Sequence, residues 1–204
     1  MLQYPSISKQ IIPVPVYAMD KLDGSNIRVE WTPKGGFVKF GSRSRLLDPE
    51  ERPLGEAIAL FQRTMAEQLE PALRKLRNER VTLFMEFLGD SSFAGNHVES
   101  EPHRLVLFDA SLYKKGFMLP KEFLKAFDEV VDTPGLLHYG KPNQEFIDSV
   151  HDGELEGMTF EGVVCKSQEL HRGKQIVFKV KNDAWLQRLR EFTKGDGELF
   201  KRLA

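Results

Sequence analysis

Alternating apolar and polar residues predict a β-hairpin near the N-terminus. Ile27, Val29 and Trp31 recur at every second position, which is typical of a strand with one buried face. The Pro-Lys-Gly-Gly sequence at residues 33–36 predicts a turn. Residues 37–40 are then expected to return as the second strand.

A helical spacing of apolar residues follows the hairpin. Ile58, Phe61, Met65 and Leu69 fall on one side of a helix, and Pro71 is expected to kink or end it. The same reasoning predicts further strands at residues 81–88, 104–110, 159–165 and 175–180, and helices opened by Pro120, Asn143 and Asp183. Strands and helices do not alternate regularly, so the 204 residues predict one α+β domain with mainly antiparallel sheets flanked by helices.

Charge is distributed unevenly along the chain. The formal net charge is −1, which argues against a protein that coats DNA without specificity. Residues 166–204 contain ten basic and five acidic residues, a local net charge of +5. This basic segment predicts either a polyanion site or a solvated helical face.

Composition also bears on the cellular compartment. No apolar run approaches the roughly 20 residues that span a bilayer, and no basic segment followed by an apolar one opens the chain. We therefore expect neither a membrane span nor a signal peptide. Cys165 is the single cysteine, which excludes an internal disulfide and fits a reducing, cytoplasmic location.

Lys21 is the first candidate for chemistry, in the sequence Lys-Leu-Asp-Gly. An amine is nucleophilic only when neutral, so its pKa must fall from about 10.4 through burial or neighbouring cations. Gly24 permits a tight turn after the lysine and leaves room for a ligand, and Asp23 can fix that turn. The alternative is an ordinary surface loop between two strands.

Lys179 and Lys181 are two residues apart in a predicted strand, so both project from the same face. Two neighbouring ammonium groups favour an anion such as phosphate. An exposed amphipathic strand would produce the same pattern. Cys165, also in a predicted strand, is interpreted as a small core residue rather than as a nucleophile.

Several other side chains are candidates for ligand contacts. Glu86 and Glu161 adjoin apolar runs, and a buried carboxylate must be paired, bind a metal or change its pKa. Arg43 follows a strand and suits phosphate or carboxylate contacts. Phe108, before Asp109, is placed to stack on a base. The alternatives are a solvated strand face, a solvated turn and core packing, respectively.

Other nucleotide and metal motifs are absent from the sequence. There is no G-x-x-x-x-G-K-[ST] phosphate loop and no G-x-G-x-x-G. The five histidines lack zinc-binding spacing.

Taken in order, these motifs resemble those of the covalent nucleotidyltransferase superfamily, which comprises polynucleotide ligases and mRNA capping enzymes. Lys21-x-Asp23-Gly24 resembles the first motif of the superfamily. Its later motifs have counterparts here, in order, in Arg43, Glu86 with Gly89, Phe108-Asp109, Glu161-Gly162-Val163-Val164-x-Lys166 and Lys179-x-Lys181. DNA ligases and capping enzymes commonly carry arginine five residues after the nucleophile. This chain has Asn26 there, which resembles the ATP-dependent RNA ligase branch.

The resemblance implies a reaction and a set of ligands. Lys21 would take AMP from ATP, with Mg²⁺ or Mn²⁺, and RNA 5′-phosphate and 3′-hydroxyl ends would then be joined. The nucleotide-binding residues would be Lys21, Asn26, Arg43, Glu86, Phe108, Glu161, Lys166, Lys179 and Lys181, with Glu161 also holding the metal through water. Related DNA ligases and capping enzymes append an oligonucleotide-binding barrel, for which the 23 residues after Lys181 are too few. A separate substrate-binding domain or protein is therefore a possible partner.

Three alternatives remain open at this point, the last of which is an α+β domain whose motifs are coincidental. The first is a DNA ligase-like or guanylyltransferase core. The second is a catalytically idle module that binds nucleotide or RNA reversibly.

Overall fold

This computed structural model describes residues 1–89 and 101–203. The described residues form two compact units. The first unit comprises residues 1–6, 24–89 and 101–134. The second unit comprises residues 7–23 and 135–203.

Strands and helices are numbered here in chain order. The strands are β1 Val16–Asp20, β2 Ser25–Thr32, β3 Gly36–Gly41, β4 Val81–Leu88, β5 Arg104–Leu112, β6 Gly116–Phe117, β7 Leu136–Gly140, β8 Gly162–His171 and β9 Lys174–Lys181. The helices are α1 Glu56–Thr64, α2 Ala66–Lys75, α3 Pro120–Phe127, α4 Gln144–Asp152, α5 Asp183–Thr193 and α6 Gly197–Leu203.

The first unit is a five-stranded sheet in the order β3-β2-β4-β5-β6, covered on one face by α1, α2 and α3. All of its strand pairs are antiparallel. Ile27, Val29 and Trp31 bury one face of β2 against Phe61 and Leu69 of the helices. Because side chains alternate along a strand, the intervening residues of β2 project from the face without helices.

The second unit is a four-stranded sheet in the order β7-β1-β8-β9, with antiparallel pairing throughout. One face packs against α4, where Val163, Cys165, Phe178 and Val180 of the sheet surround Phe146. Helices α5 and α6 form a smaller apolar cluster centred on buried residues of α5. The alternate positions of β8 and β9 project from the face opposite α4.

The α+β class and the antiparallel sheets are confirmed, as is the N-terminal hairpin. Asn143 caps α4 as expected, since its side chain accepts a hydrogen bond from the backbone N–H of Phe146. The predicted helix breaks at Met65, where the backbone leaves helical geometry, and α2 continues through Pro71. Met65 is 3% exposed, so the break lies within the core.

The expected N-terminus of α5 needs correction. The N-cap of α5 is Asn182, whose side chain accepts from the N–H of Trp185, whereas Asp183 is the first helical residue. Among residues 1–89 and 101–203, no helix has both the length and the apolar character that crossing a membrane requires.

Of two glycines in the β8–β9 hairpin, Gly162 should tolerate substitution by alanine less well. It has a φ of 132°, and a Cβ there would overlap the Val180 carbonyl oxygen and lie 2.9 Å from the Lys181 Cα. Gly162→Ala should lower the free energy of unfolding by roughly 2–4 kcal/mol, from backbone strain plus overpacking. Urea unfolding monitored by circular dichroism measures the change.

Gly173→Ala is the matched control, since Gly173 also has positive φ (76°) but has no heavy atom near its Cβ position. It should cost only about 1 kcal/mol, the backbone term alone. Equal losses in the two variants would contradict this account of Gly162.

Candidate active site

Strand pairing positions Lys21 in the second unit. Lys21 directly follows β1, and its backbone N–H donates to the Gly162 carbonyl at 2.9 Å. Strand β1 pairs with β8, with Asp20 opposite Val163. The lysine that follows β1 is thereby held next to Glu161, the residue that precedes β8.

The carboxylate of Glu161 connects two lysines. Its Oε2 lies 2.8 Å from Lys21 Nζ, and its Oε1 accepts from Lys181 Nζ. The side chains of Glu161 and Lys181 are 5% and 6% exposed, whereas that of Lys21 is 21% exposed. Glu161 therefore balances positive charge on both lysines, and only Lys21 is notably accessible to solvent.

Trp185 packs its indole ring against the second of these lysines. Lys181 Nζ lies 3.5 Å from the ring centroid, a close cation–π contact. The pKa of Lys181 falls from 10.5 to about 7, mainly because of burial; the charges of Lys21 and Lys179 also lower it, and Glu161 opposes the shift. Sequence reasoning missed this role, because Trp185 fits the apolar stripe of α5 and only its position four residues after Lys181 points to the lysine.

Lys166 and Lys179 share one sheet face with Lys181. The Cα of Val164 lies opposite that of Lys179, and Val163 and Cys165 point to the α4 side. Because side chains alternate along a strand, those of Lys166, Lys179 and Lys181 project from the other face. Lys166 is 4% exposed and Lys179 is half-buried. The second unit thus contains all four lysines of the predicted site, including Lys21.

Glu86 and Gly24 meet in the first unit. The backbone N–H of Gly24 donates to Glu86 Oε1 at 3.1 Å. A Cβ at position 24 would overlap the carbonyl oxygen of Phe87 and lie 2.8 Å from Leu88 Cδ2, so only glycine permits this approach. Asp23, the preceding residue, is half-buried.

Asn26 lies directly opposite Glu86 in the β2–β4 pairing. Its Oδ1 is buried and has no hydrogen-bond partner in the part of the chain that the structure describes. Buried polar atoms are nearly always paired, so this acceptor can take a hydrogen bond from a water or a ligand. Asn26 and Glu86 therefore form the second cluster of predicted residues.

Phe108 sits at an irregularity in the pairing of β4 with β5. Phe84 is opposite Asp109 and Met85 is opposite Leu107, which leaves Phe108 as the extra residue of a β-bulge. Bulges change the direction of a side chain and are frequent next to functional sites. Phe108 is half-buried, so part of its surface is accessible.

Arg43 lies on an exposed bend after β3. Because β3 pairs with β2 and not with β4, strand pairing does not bring Arg43 beside Glu86. The neighbouring carbonyls of Ser42 and Arg45 accept hydrogen bonds from Arg28 at 2.5 and 3.2 Å. Arg28, which sequence reasoning missed, is buried at 2% exposure and holds the bend in place.

The donor groups fit a hydrated Mg²⁺ or Mn²⁺ rather than a metal enclosed by protein. Among residues 1–89 and 101–203, no three His, Cys, Asp or Glu side chains are grouped to hold an ion. Mg²⁺ usually keeps several waters and uses one or two carboxylates together with substrate phosphates. Glu161 can supply one such carboxylate.

Comparison with known proteins identifies related sequences and folds. A family model described as RNA ligase matches residues 14–181, most of the chain. This range includes both Lys21 and Lys181. A comparison with curated proteins found no match.

Solved structures of a Naegleria gruberi RNA ligase are similar to this chain. The structure with PPi has a TM-score of 0.65 and 20% identity, and covers 88% of this chain and 52% of that chain. A glutamate-to-alanine mutant with AMP and Mn has a TM-score of 0.67 and 18% identity, covering 92% and 58%. A lysine-to-alanine mutant with ATP and Mn has a TM-score of 0.63 and 19% identity, covering 86% and 51%. This chain therefore shares their fold and spans about half of their length.

The side chain of Lys181 should titrate near neutral pH. In protein labelled with ¹³C-lysine, nuclear magnetic resonance should show a midpoint near 7, because burial disfavours the ammonium. Glu161→Gln should move the midpoint to lower pH, since the carboxylate that favours the ammonium is lost. A Lys181→Arg variant assigns the resonance. A midpoint at the ordinary value of 10.5, or one that Glu161→Gln leaves unchanged, would refute this description of the site.

Proposed function

Because the chain belongs to the RNA ligase family, we propose that it is an ATP-dependent RNA ligase. It forms a lysyl-AMP intermediate on Lys21 and joins 5′-phosphate to 3′-hydroxyl RNA ends. The observation that carries this proposal is the arrangement of Lys21, Glu161 and Lys181. A half-buried amine beside a buried cation and a carboxylate suits attack on a phosphate.

The first step transfers AMP to the protein. Lys21 Nζ attacks the α-phosphorus of ATP, so an N–P bond forms while the P–O bond to pyrophosphate breaks and pyrophosphate leaves. The attacking nitrogen loses a proton, and Glu161, at 2.8 Å, is placed to accept it. In its charged form, Lys181 contacts the other oxygen of the same carboxylate and opposes the protonation of Lys21.

Stabilising the charge that builds on phosphate is the main task in such a transfer. Lys179 and Lys181 perform it in this proposal, and Lys166 contacts phosphate or supports a group that does. They lie on one face of the second unit's sheet, which supports a common ligand. Bound Mg²⁺ or Mn²⁺, held by Glu161 through water, would add positive charge at the phosphates.

The first unit supplies the remaining nucleotide contacts in this proposal. Phe108 stacks on adenine, Glu86 and Arg43 hold the ribose or phosphate side, and Asn26 contacts phosphate or the RNA end. Supporting observations are the bulge at Phe108 and the buried Oδ1 of Asn26, which would accept a hydrogen bond from a hydroxyl of the RNA end. In this proposal residues 1–204 act as one catalytic domain.

The RNA and any partner are further parts of the proposal. Helix α5 carries Arg188 and Arg190 on exposed positions, and with Lys194 they would contact RNA phosphates. The chain spans about half the length of its structural relatives, and we therefore include a separate substrate-binding domain or protein as a candidate partner. A cytoplasmic location stays a prediction from the single cysteine.

Incubation with ATP and Mg²⁺ should add the mass of one AMP to the protein. Lys21→Ala should abolish the adduct, because the attacking nitrogen is lost, and pyrophosphate should reverse it in the wild type. Intact-protein mass spectrometry measures both. Lys201→Ala is the control, since Lys201 is an exposed helical lysine.

The same mass assay, together with a nick-sealing assay, distinguishes the alternatives. An adduct with GTP in place of ATP would favour a guanylyltransferase core, and sealing of nicks with DNA strands only would favour a DNA ligase. Reversible ATP binding without an adduct would refute the enzyme proposal and favour an idle binding module.

Lys181→Ala should slow adduct formation about 100-fold, as expected when one group that stabilises developing charge is lost. Lys174→Ala is matched to it, because Lys174 is an exposed lysine at the other end of β9. It should leave the rate unchanged. Rapid-quench measurement with saturating ATP gives both rates. Equal rates for the two variants would show that Lys181 does not take part in adduct formation.

A further inference from the structure

The N-terminal residues cover part of the first unit's sheet. The ring of Tyr4 packs edge-on against Phe84, Phe108 and Phe117, with centroid distances of 5.0, 5.1 and 5.3 Å. Phe84 alternates with the core residues Leu83 and Met85, so it lies on the face without helices. Tyr4 therefore joins the aromatic cluster that contains the bulged Phe108.

A buried hydrogen bond fixes the position of Tyr4. Its hydroxyl donates to Asp109 Oδ2 at 2.8 Å, and Asp109 is 2% exposed. Burial and the neighbouring Asp109 carboxylate raise the pKa of Tyr4 well above 10.0, so the phenol keeps the proton that it donates. The bond joins the N-terminal segment to the residue that follows Phe108.

Arg28 anchors the same segment at its other end. Its Nη1 donates to the carbonyls of Leu2 at 2.9 Å and Met1 at 3.4 Å. The guanidinium is buried at 2% exposure and also binds the bend that carries Arg43. Residues 1–4 are thus held by hydrogen bonds at both ends, rather than lying loosely on the surface.

We propose that Tyr4 is a positioning residue that holds Phe108 in the orientation in which it stacks on the base of the nucleotide. This inference rests on the proposed role of Phe108 and extends it to the N-terminal segment. A bulge leaves Phe108 outside the regular pairing of β5, so the ladder alone does not restrain its ring. Contact with Tyr4 on one edge restrains the ring and leaves the accessible part of Phe108 for a ligand.

The two parts of the tyrosine have separate tasks. Its ring contacts Phe108, and its hydroxyl fixes that ring through Asp109. Phenylalanine at position 4 would keep the first contact and lose the second. Leucine would lose both, so the two substitutions should form a graded series.

Equilibrium binding of AMP tests this proposal without requiring catalysis. Calorimetry is performed on the wild type, Tyr4→Phe and Tyr4→Leu after treatment with pyrophosphate to remove any adduct. Tyr4→Leu should weaken AMP binding about tenfold, since stacking on an aromatic ring contributes about 1–3 kcal/mol per base. Tyr4→Phe should weaken it about threefold, the effect of a modest hydrogen bond.

Ribose 5-phosphate, which lacks the base, distinguishes positioning from general damage to the fold. Its affinity should be the same in all three proteins. Tyr113→Phe is the control variant, because Tyr113 lies in the same unit under Arg80 and outside the aromatic cluster. It should bind AMP like the wild type. Thermal unfolding confirms that each variant is folded.

Several outcomes would overturn the inference. These are unchanged AMP affinity in folded Tyr4→Leu, equal loss of AMP and ribose 5-phosphate binding, or absence of AMP binding by the wild type. The mass assay for the Lys21 adduct is run in parallel. AMP binding that depends on Tyr4 but occurs without any adduct would refute the proposed ligase and leave the role of Tyr4 intact.

Discussion

The bridge formed by Glu161 between Lys21 and Lys181 is the interaction on which the second unit's chemistry depends. Two ammonium groups beside each other in a largely buried place repel, and each loses hydration. One carboxylate with an oxygen for each lysine offsets both costs. Lysines gathered around one carboxylate in this way favour an anionic ligand.

Backbone constraints bring these three side chains together. Lys21 is held by the hydrogen bond of its N–H to the Gly162 carbonyl, and Gly162 lies opposite Lys181 in the β8–β9 pairing. A side chain at position 162 would collide with β9, which is why the glutamate must be followed by glycine. The motif Glu-Gly is thus both chemical and steric: one residue carries the charge, and the next allows the strands to approach.

Backbone constraints also position the candidate residues of the first unit. Gly24 approaches β4 closely enough for its N–H to reach Glu86, and a bulge directs Phe108 out of the regular pairing. Tyr4 and Arg28 then attach the N-terminal residues to this sheet. Asn26 and Glu86 lie in the regular strand pairing, whereas Phe108 lies at a bulge and Arg43 on a bend outside the strands.

Local pattern determined much of this protein. Alternation of apolar residues predicted the hairpin and the two faces of β9, and the ordered motifs predicted the family and most candidate residues, because period and motif spacing are properties of neighbours in the chain. Tertiary structure alone decided the cation–π contact of Trp185, the bond of Tyr4 to Asp109, the carbonyl contacts of Arg28 and the helix break at Met65. Tyr4 and Asp109 are 105 residues apart, and Lys21 and Glu161 are 140 apart. A sequence pattern carries no distance between such residues, so only packing and strand register determine which of them touch.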